Sequence, residues 1–285
     1  MKKLLVLAFA AFFCTVANAL TFIDSVRVNG KMRVYKLTVP ANLKPGAPLV
    51  MLLHGYGGGD FDGTTCMDDV AVAHGFALCV PQGLVDPNRQ RSWNVGYPMQ
   101  KGWKVDDVDD VCRLTRVVQR KYNLSRKNAF LTGMSNGGEM CYLMLYRNKT
   151  VFKAIASVAG LTLEWMYKRL SPKVQVPFME IHGTEDRVSE WNGDLDNRGG
   201  WGAYMPVSIA VGRIVAVNKC THEVVERQES LNPKSGHYII RHKFLGGDNG
   251  CDVWLYEVVG ASHCWHTADM DTGNEVWRFF ARFLE

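Results

Sequence analysis

Short unbroken apolar runs alternate along this chain with longer segments whose apolar positions recur every three or four residues. Residues 49–53 and 76–80 are runs of the first kind, and 152–158, 176–181 and 253–258 are mostly apolar runs of similar length. Lacking alternation, they predict strands buried on both faces, as in a largely parallel sheet. Residues 67–74, 105–122, 139–147, 206–218 and 274–284 read as helices between or after them. The 105–122 segment is the clearest. Val108, Val111, Cys112, Thr115 and Val118 share one face, and Asp106 and Asp107 sit at the N-terminal end, where negative charge is favoured. Residues 22–28 and 32–39 read as strands joined by Asn29-Gly30, a type I′ hairpin signal. A second pair, 223–230 and 237–245, comes late. Antiparallel entry strands followed by strand–helix units predict an α/β three-layer sandwich with a mostly parallel central sheet.

The first nineteen residues stand apart. Lys2 and Lys3 precede an apolar run, and Ala17-Asn18-Ala19 is a small-residue cleavage pattern. Residues 1–19 are therefore expected to be a secretory signal peptide, and the run is short for a membrane span. The expected destination is secreted or periplasmic. Residues 20–285 suit one large domain. The formal net charge is +5, and two of those charges fall in the leader. So small and evenly spread an excess does not suggest nucleic acid as a partner, and no later segment reads as membrane-spanning. Export permits disulfides. With Cys14 in the leader, an odd number of cysteines is left. Cys79 and Cys141 lie in apolar surroundings and read as plain buried thiols, whereas Cys220 and Cys251 flank polar turns and are the likelier-placed pair for a bridge.

The chemistry centres on residues 128–138. An apolar strand leads into Gly133-Met134-Ser135-Asn136-Gly137, and a helix follows. Strand, sharp turn around a serine, then helix is the context of a nucleophile elbow. Side chains two positions either side of the serine would collide, so glycine fits there. A serine nucleophile needs a histidine base, itself oriented by a carboxylate, in the chain order Ser, acid, His. Asp186 follows the 176–181 strand and His263 follows the 253–258 strand, with Glu185 and His266 as rivals. All three candidates therefore stand beyond strand C-termini, where groups gather in open α/β sheets. The Asn136 N–H and the Tyr56 N–H, in the Gly-rich loop after residues 49–53, are the expected oxyanion donors. His54 is expected to shape that loop and His182 to support the acid loop. The predicted mechanism needs no cofactor and no metal. Asp106, Asp107, Asp109 and Asp110 are not spaced like a calcium loop and read as a solvated helix face. Among the loop aromatics Trp93, Trp103, Trp191, Trp201 and Trp265, the expected substrate-binding residues are Trp265, Trp93 and Trp103.

These segments together resemble the secreted esterases of carbohydrate esterase family 1, which include feruloyl, acetylxylan and polyhydroxybutyrate-depolymerase-like enzymes of the α/β-hydrolase superfamily. The resemblance rests on Leu53-His54-Gly55, Ser92-Trp93-Asn94, Val105-Asp106-Asp107-Val108, the elbow, His182-Gly183-Thr184-Glu185-Asp186 and Ser262-His263-Cys264-Trp265. It implies Ser135, Asp186 and His263 as a triad, and hydrolysis of esters on plant cell-wall polysaccharide. Two departures stand out. Related tannases and fungal feruloyl esterases bridge cysteines placed before the serine and after the histidine. Here Cys264 follows His263 but Met134 precedes Ser135. Many relatives also carry proline where this chain has His266. The alternatives are a polyhydroxyalkanoate or 3-hydroxybutyrate oligomer esterase, another acyl chemistry such as a peptidase or acyltransferase, and an inactive carbohydrate-binding module on the same fold.

Overall fold

The computed structural model describes residues 19–59 and 65–285. The expected signal peptide, save Ala19, lies outside the described residues. Twelve described strands and six described α-helices follow in chain order. They are β1 (Ala19–Val28), β2 (Lys31–Pro40), β3 (Leu49–Leu53), α1 (Met67–His74), β4 (Ala77–Pro81), β5 (Leu84–Val85), β6 (Arg91–Ser92), α2 (Asp107–Lys121), β7 (Ala129–Met134), α3 (Asn136–Tyr146), β8 (Ala154–Val158), α4 (Glu164–Arg169), β9 (Phe178–Gly183), α5 (Val207–Asn218), β10 (His222–Glu229), β11 (Tyr238–Leu245), β12 (Val253–Val259) and α6 (Thr272–Ala281). Ten strands form one sheet in the order β1-β2-β4-β3-β7-β8-β9-β12-β11-β10. The pairs from β4 through β12 are parallel, and the outer pairs are antiparallel.

The unbroken runs behave as expected of two-sided burial. Leu49, Met51 and Leu53 join one core with residues of α2, α3 and α5, while Val50 and Leu52 join a second core with residues of α1 and α6. Side chains alternate across the sheet, so a strand between two helical layers must be apolar throughout. The three-layer α/β architecture is therefore present. At the entry hairpin, Val28 pairs with Lys31, and Asn29 and Gly30 take φ of 46° and 79°. Both central residues thus adopt the left-handed geometry a type I′ turn requires.

Three readings of the sequence are corrected here. Helix α2 begins at Asp107 rather than Val105, because Asp106 is its N-cap and its side chain accepts from the Asp109 N–H. The acidic face of α2 is also not wholly solvated. Asp107 and Asp110 are 1% and 2% exposed, and both take Arg33 of β2 as their partner. Arg33 Nη2 lies 2.5 Å from Asp107 Oδ1. The expected Cys220–Cys251 bridge is likewise absent. All described cysteines are free thiols, and Cys220 Sγ faces the Cys251 carbonyl at 3.7 Å instead of its sulfur. Among the described residues, no helix is long and apolar enough to cross a membrane.

Candidate active site

Ser135 follows β7 and caps α3 with φ 53° and ψ −120°. A non-glycine residue holds such angles only where its surroundings enforce them. The surroundings here are tight. A Cβ on Gly133 would lie 2.6 Å from the Gly137 carbonyl group, and one on Gly137 would lie 2.2 Å from the Leu53 oxygen. Both glycines of the motif are thus required by backbone approach. Gly55 brings the loop after β3 against the serine, since a Cβ there would lie 3.3 Å from Ser135 Cβ.

Asp186 and His263 meet directly. His263 Nδ1 is 2.6 Å from Asp186 Oδ2. The other Asp186 oxygen accepts from the Val188 and Ser189 N–H groups at 2.8 Å each. Burial pushes the Asp186 carboxyl up. The His263 hydrogen bond, the charges of His263 and His182, and the Val188 N–H outweigh it and hold the group below its ordinary value. It is therefore ionised when it orients the imidazole. Ser135, Asp186 and His263 follow β7, β9 and β12, three parallel strands whose C-termini share one end of the sheet. Ser135 Oγ makes no hydrogen bond to His263 in this arrangement. Such links are often long before substrate is seated and tighten along the reaction.

The Asn136 and Tyr56 N–H groups have no hydrogen-bond partner among the described residues. A local network aims the second. His54 Nε2 accepts from the Gly83 N–H at 2.9 Å, so Nδ1 carries the hydrogen and donates to the Gly55 carbonyl at 2.7 Å. That carbonyl also accepts from the Gly58 N–H at 3.1 Å. In a trans peptide the C=O and N–H point opposite ways. Fixing the Gly55 oxygen therefore fixes the direction of the Tyr56 N–H.

The Asn136 side chain has a further duty that sequence did not disclose. It accepts from the Trp93 N–H at 2.7 Å and donates to the Trp93 carbonyl at 3.1 Å. This pair of hydrogen bonds pins the 82–104 loop to the elbow. Gln100 supports the same loop from within, donating to Ser92 Oγ and the Trp93 carbonyl. Beneath them lies Glu139, buried in the first turn of α3. Burial pushes its carboxyl up to about 8, against the opposing hydrogen bonds of Tyr97 and Asn136. The folded chain thus keeps a proton the unfolded chain releases, and stability falls as pH rises from 4.5 through about 8. Glu139→Gln removes that titration. Its melting temperature is expected to stay level where the wild type declines, and melts at about pH 5 and about pH 8.5 check this. Equal decline in both proteins would overturn it.

The expected tryptophan contacts need correction. Trp265 is 3% exposed and packs with Ala261 and Met270 in the core under α1 and α6. Trp93 is 1% exposed, its indole N–H donating to the His54 carbonyl at 3.0 Å. Neither offers a face to a ligand; both brace loops. Trp103 lines a cleft of about 370 Å³ with Asn94, Asp106, Arg147 and Trp165, and no triad residue borders it. The aromatic group beside the oxyanion loop is different. Tyr56, Tyr97 and Trp201 lie with ring centroids 5.3–5.8 Å apart. Tyr97 is itself 2% exposed and backs the other two rings from within. His266 sits at φ 57°, an angle closed to proline. The proline that the resemblance implies at this position would not fit this course of the loop.

Comparison with known proteins extends this picture. Residues 68–208 match the model of the prolyl oligopeptidase family. That segment contains Ser135 and Asp186 and stops before His263. The chain is 27% identical over 173 residues to the bifunctional acetylxylan esterase/xylanase XynS20E of Neocallimastix patriciarum, covering 59% of this chain and 23% of that protein. It is 29% identical over 161 residues to feruloyl esterase B of Neurospora crassa, covering 55% and 52%. The chain thus spans from about a quarter to about half the length of these relatives. The acetyl xylan esterase structure from Aspergillus awamori superposes with a TM-score of 0.62 at 14% identity, covering 91% of this chain and 99% of that one. The fold is that of an α/β hydrolase, and the esterase resemblance carried by the motifs is borne out.

Proposed function

We propose that this chain is a serine carboxylic-ester hydrolase, secreted or periplasmic, that removes feruloyl or acetyl groups from plant cell-wall polysaccharide. The observation that carries the reading is the 2.6 Å contact of His263 with buried Asp186, at the same sheet end as the strained Ser135. His263 takes the Ser135 Oγ proton as Oγ attacks the ester carbon. The Asn136 and Tyr56 N–H groups receive the negative oxygen. Imidazolium then returns the proton to the departing alcohol. Water, deprotonated by His263, attacks the acyl-enzyme, and the acid leaves as Oγ recovers its proton. Asp186 keeps the proton on Nδ1, so Nε2 is free to act as base.

Support for an aromatic acyl group comes from the partly exposed Tyr56 and Trp201 rings, whose centroids lie 5.3 Å apart next to the loop after β3. Flat rings hold flat acyl groups by offset and edge contacts worth about 0.5–1.5 kcal/mol each. The test is a panel of methyl ferulate, acetylated xylan, p-nitrophenyl acetate, 3-hydroxybutyrate oligomers and a peptide p-nitroanilide. Methyl ferulate or acetylated xylan is expected to show the highest kcat/KM, and Trp201→Ala is expected to lower it on ferulate about tenfold more than on acetate. Preference for hydroxybutyrate oligomers would replace the substrate assignment. Preference for the anilide would favour the peptidase reading suggested by the matched family description.

A further inference from the structure

Next to Asp186, approaching the same Oδ2 that meets His263, stands a second acid–imidazole pair. Glu180 and His182 are two residues apart on β9, so both project to one face of the sheet. Neither has any exposed surface. His182 Nδ1 lies 2.9 Å from Glu180 Oε1, and Nε2 lies 2.7 Å from the Ser189 carbonyl. The same Nε2 is 3.6 Å from Asp186 Oδ2. Trp191 closes the box, its ring edge-on to the imidazole at 6.0 Å between centroids.

The hydrogen-bond inventory constrains where protons sit. A main-chain carbonyl only accepts, so Nε2 must carry a hydrogen. The Nδ1–Oε1 contact must hold another, or two lone pairs would face each other. Burial pushes the His182 imidazole down. The Glu180 hydrogen bond and charge, the Ser189 carbonyl and the Asp186 charge outweigh it, and the group rises above its ordinary value. The remaining groups facing this box are Glu139, Cys141 and Tyr142 on α3, and His263 and His266 on the loop after β12. Burial pushes the Glu180 carboxyl up as well, so the shared hydrogen can rest on either partner of that contact. With it on Nδ1, the line from the interior to the serine is carboxylate, imidazolium, carboxylate, imidazole.

We propose that His182, held as an imidazolium by Glu180 and Ser189, is a positioning residue for the reaction. It braces the Asp186 loop and offsets part of the Asp186 charge that His263 feels. An aspartate with no such neighbour would hold a proton on His263 more tightly and leave less free base at neutral pH. This inference rests on Ser135–His263 catalysis, and its test is chosen so that the two can fail separately.

His182→Gln and the double variant Glu180→Gln/His182→Gln remove the buried positive charge. The kcat/KM for p-nitrophenyl acetate is then followed from about pH 5 to about pH 9. The acid limb is expected to move up by roughly one pH unit in both variants, lowering kcat/KM about tenfold near pH 6. KM is expected to change little. A structural role alone would lower the whole profile and leave the limb in place, which would overturn the proposal. A second measurement needs no variant. In the wild type, imidazole nitrogen NMR is expected to show both His182 nitrogens protonated at neutral pH. An unprotonated Nδ1 would overturn the assignment. If Ser135→Ala retained full turnover, the serine mechanism would fall, whatever the state of His182.

Discussion

Ser135→Ala is expected to lower kcat on p-nitrophenyl acetate by about a million-fold while leaving the thermal melt unchanged. The effect is large because the hydroxyl, base and acid act as one unit. Once the nucleophile is gone, the imidazole has nothing to deprotonate. His263→Ala should cost about as much, and the double variant little more than either single change. Asp186→Asn should lose about ten-thousand-fold, since an amide fixes the wrong imidazole tautomer. Residual turnover would come from the Asn136 and Tyr56 donors and from binding. A fluorophosphonate probe gives an independent reading. The wild type should label at Ser135 and the alanine variant should not. An alanine variant that kept a tenth of its activity would remove Ser135 from the chemistry.

The largest expected loss of stability lies elsewhere. Arg33→Ala should destabilise the fold by about 3–5 kcal/mol, because it strands two buried carboxylates. Arg33, Asp107 and Asp110 are each at most 2% exposed, so water cannot replace the missing guanidinium. Asp107 also accepts from the Asn94 N–H at 2.7 Å. The same substitution should therefore loosen the 82–104 loop and raise KM in the fraction that folds. Urea unfolding measures the first effect and steady-state kinetics the second. A change below about 1 kcal/mol would mean that solvent reaches the carboxylates after all. Replacing all three residues by apolar ones of similar volume is the informative control, because a buried ion cluster is often no more stable than a packed apolar one.

The sheet was legible because its central strands are short and mostly apolar, a pattern surface strands do not show. The triad candidates were legible because each follows such a strand in the chain order the chemistry demands. The two-residue strands β5 and β6 carried no such pattern. What failed had a common cause. Arg33 looked like an ordinary polar position in an alternating strand, since its partners lie 74 and 77 residues away. Trp93 and Trp265 sit in polar loops, and sequence does not say whether a loop folds its aromatic inward. Glu180 and His182 did carry a signal. Two ionisable residues in an otherwise apolar central strand must be paired with something, because an isolated buried charge is too costly.

The Asn136 clamp has a consequence for anyone redesigning specificity. One residue offers the proposed oxyanion donor through its backbone and anchors the 82–104 loop through its amide. Transplanting residues 82–104 from a relative is therefore a two-part graft. The incoming segment must present its own peptide group where Trp93 does, or the donor it disturbs will be the one the reaction depends on.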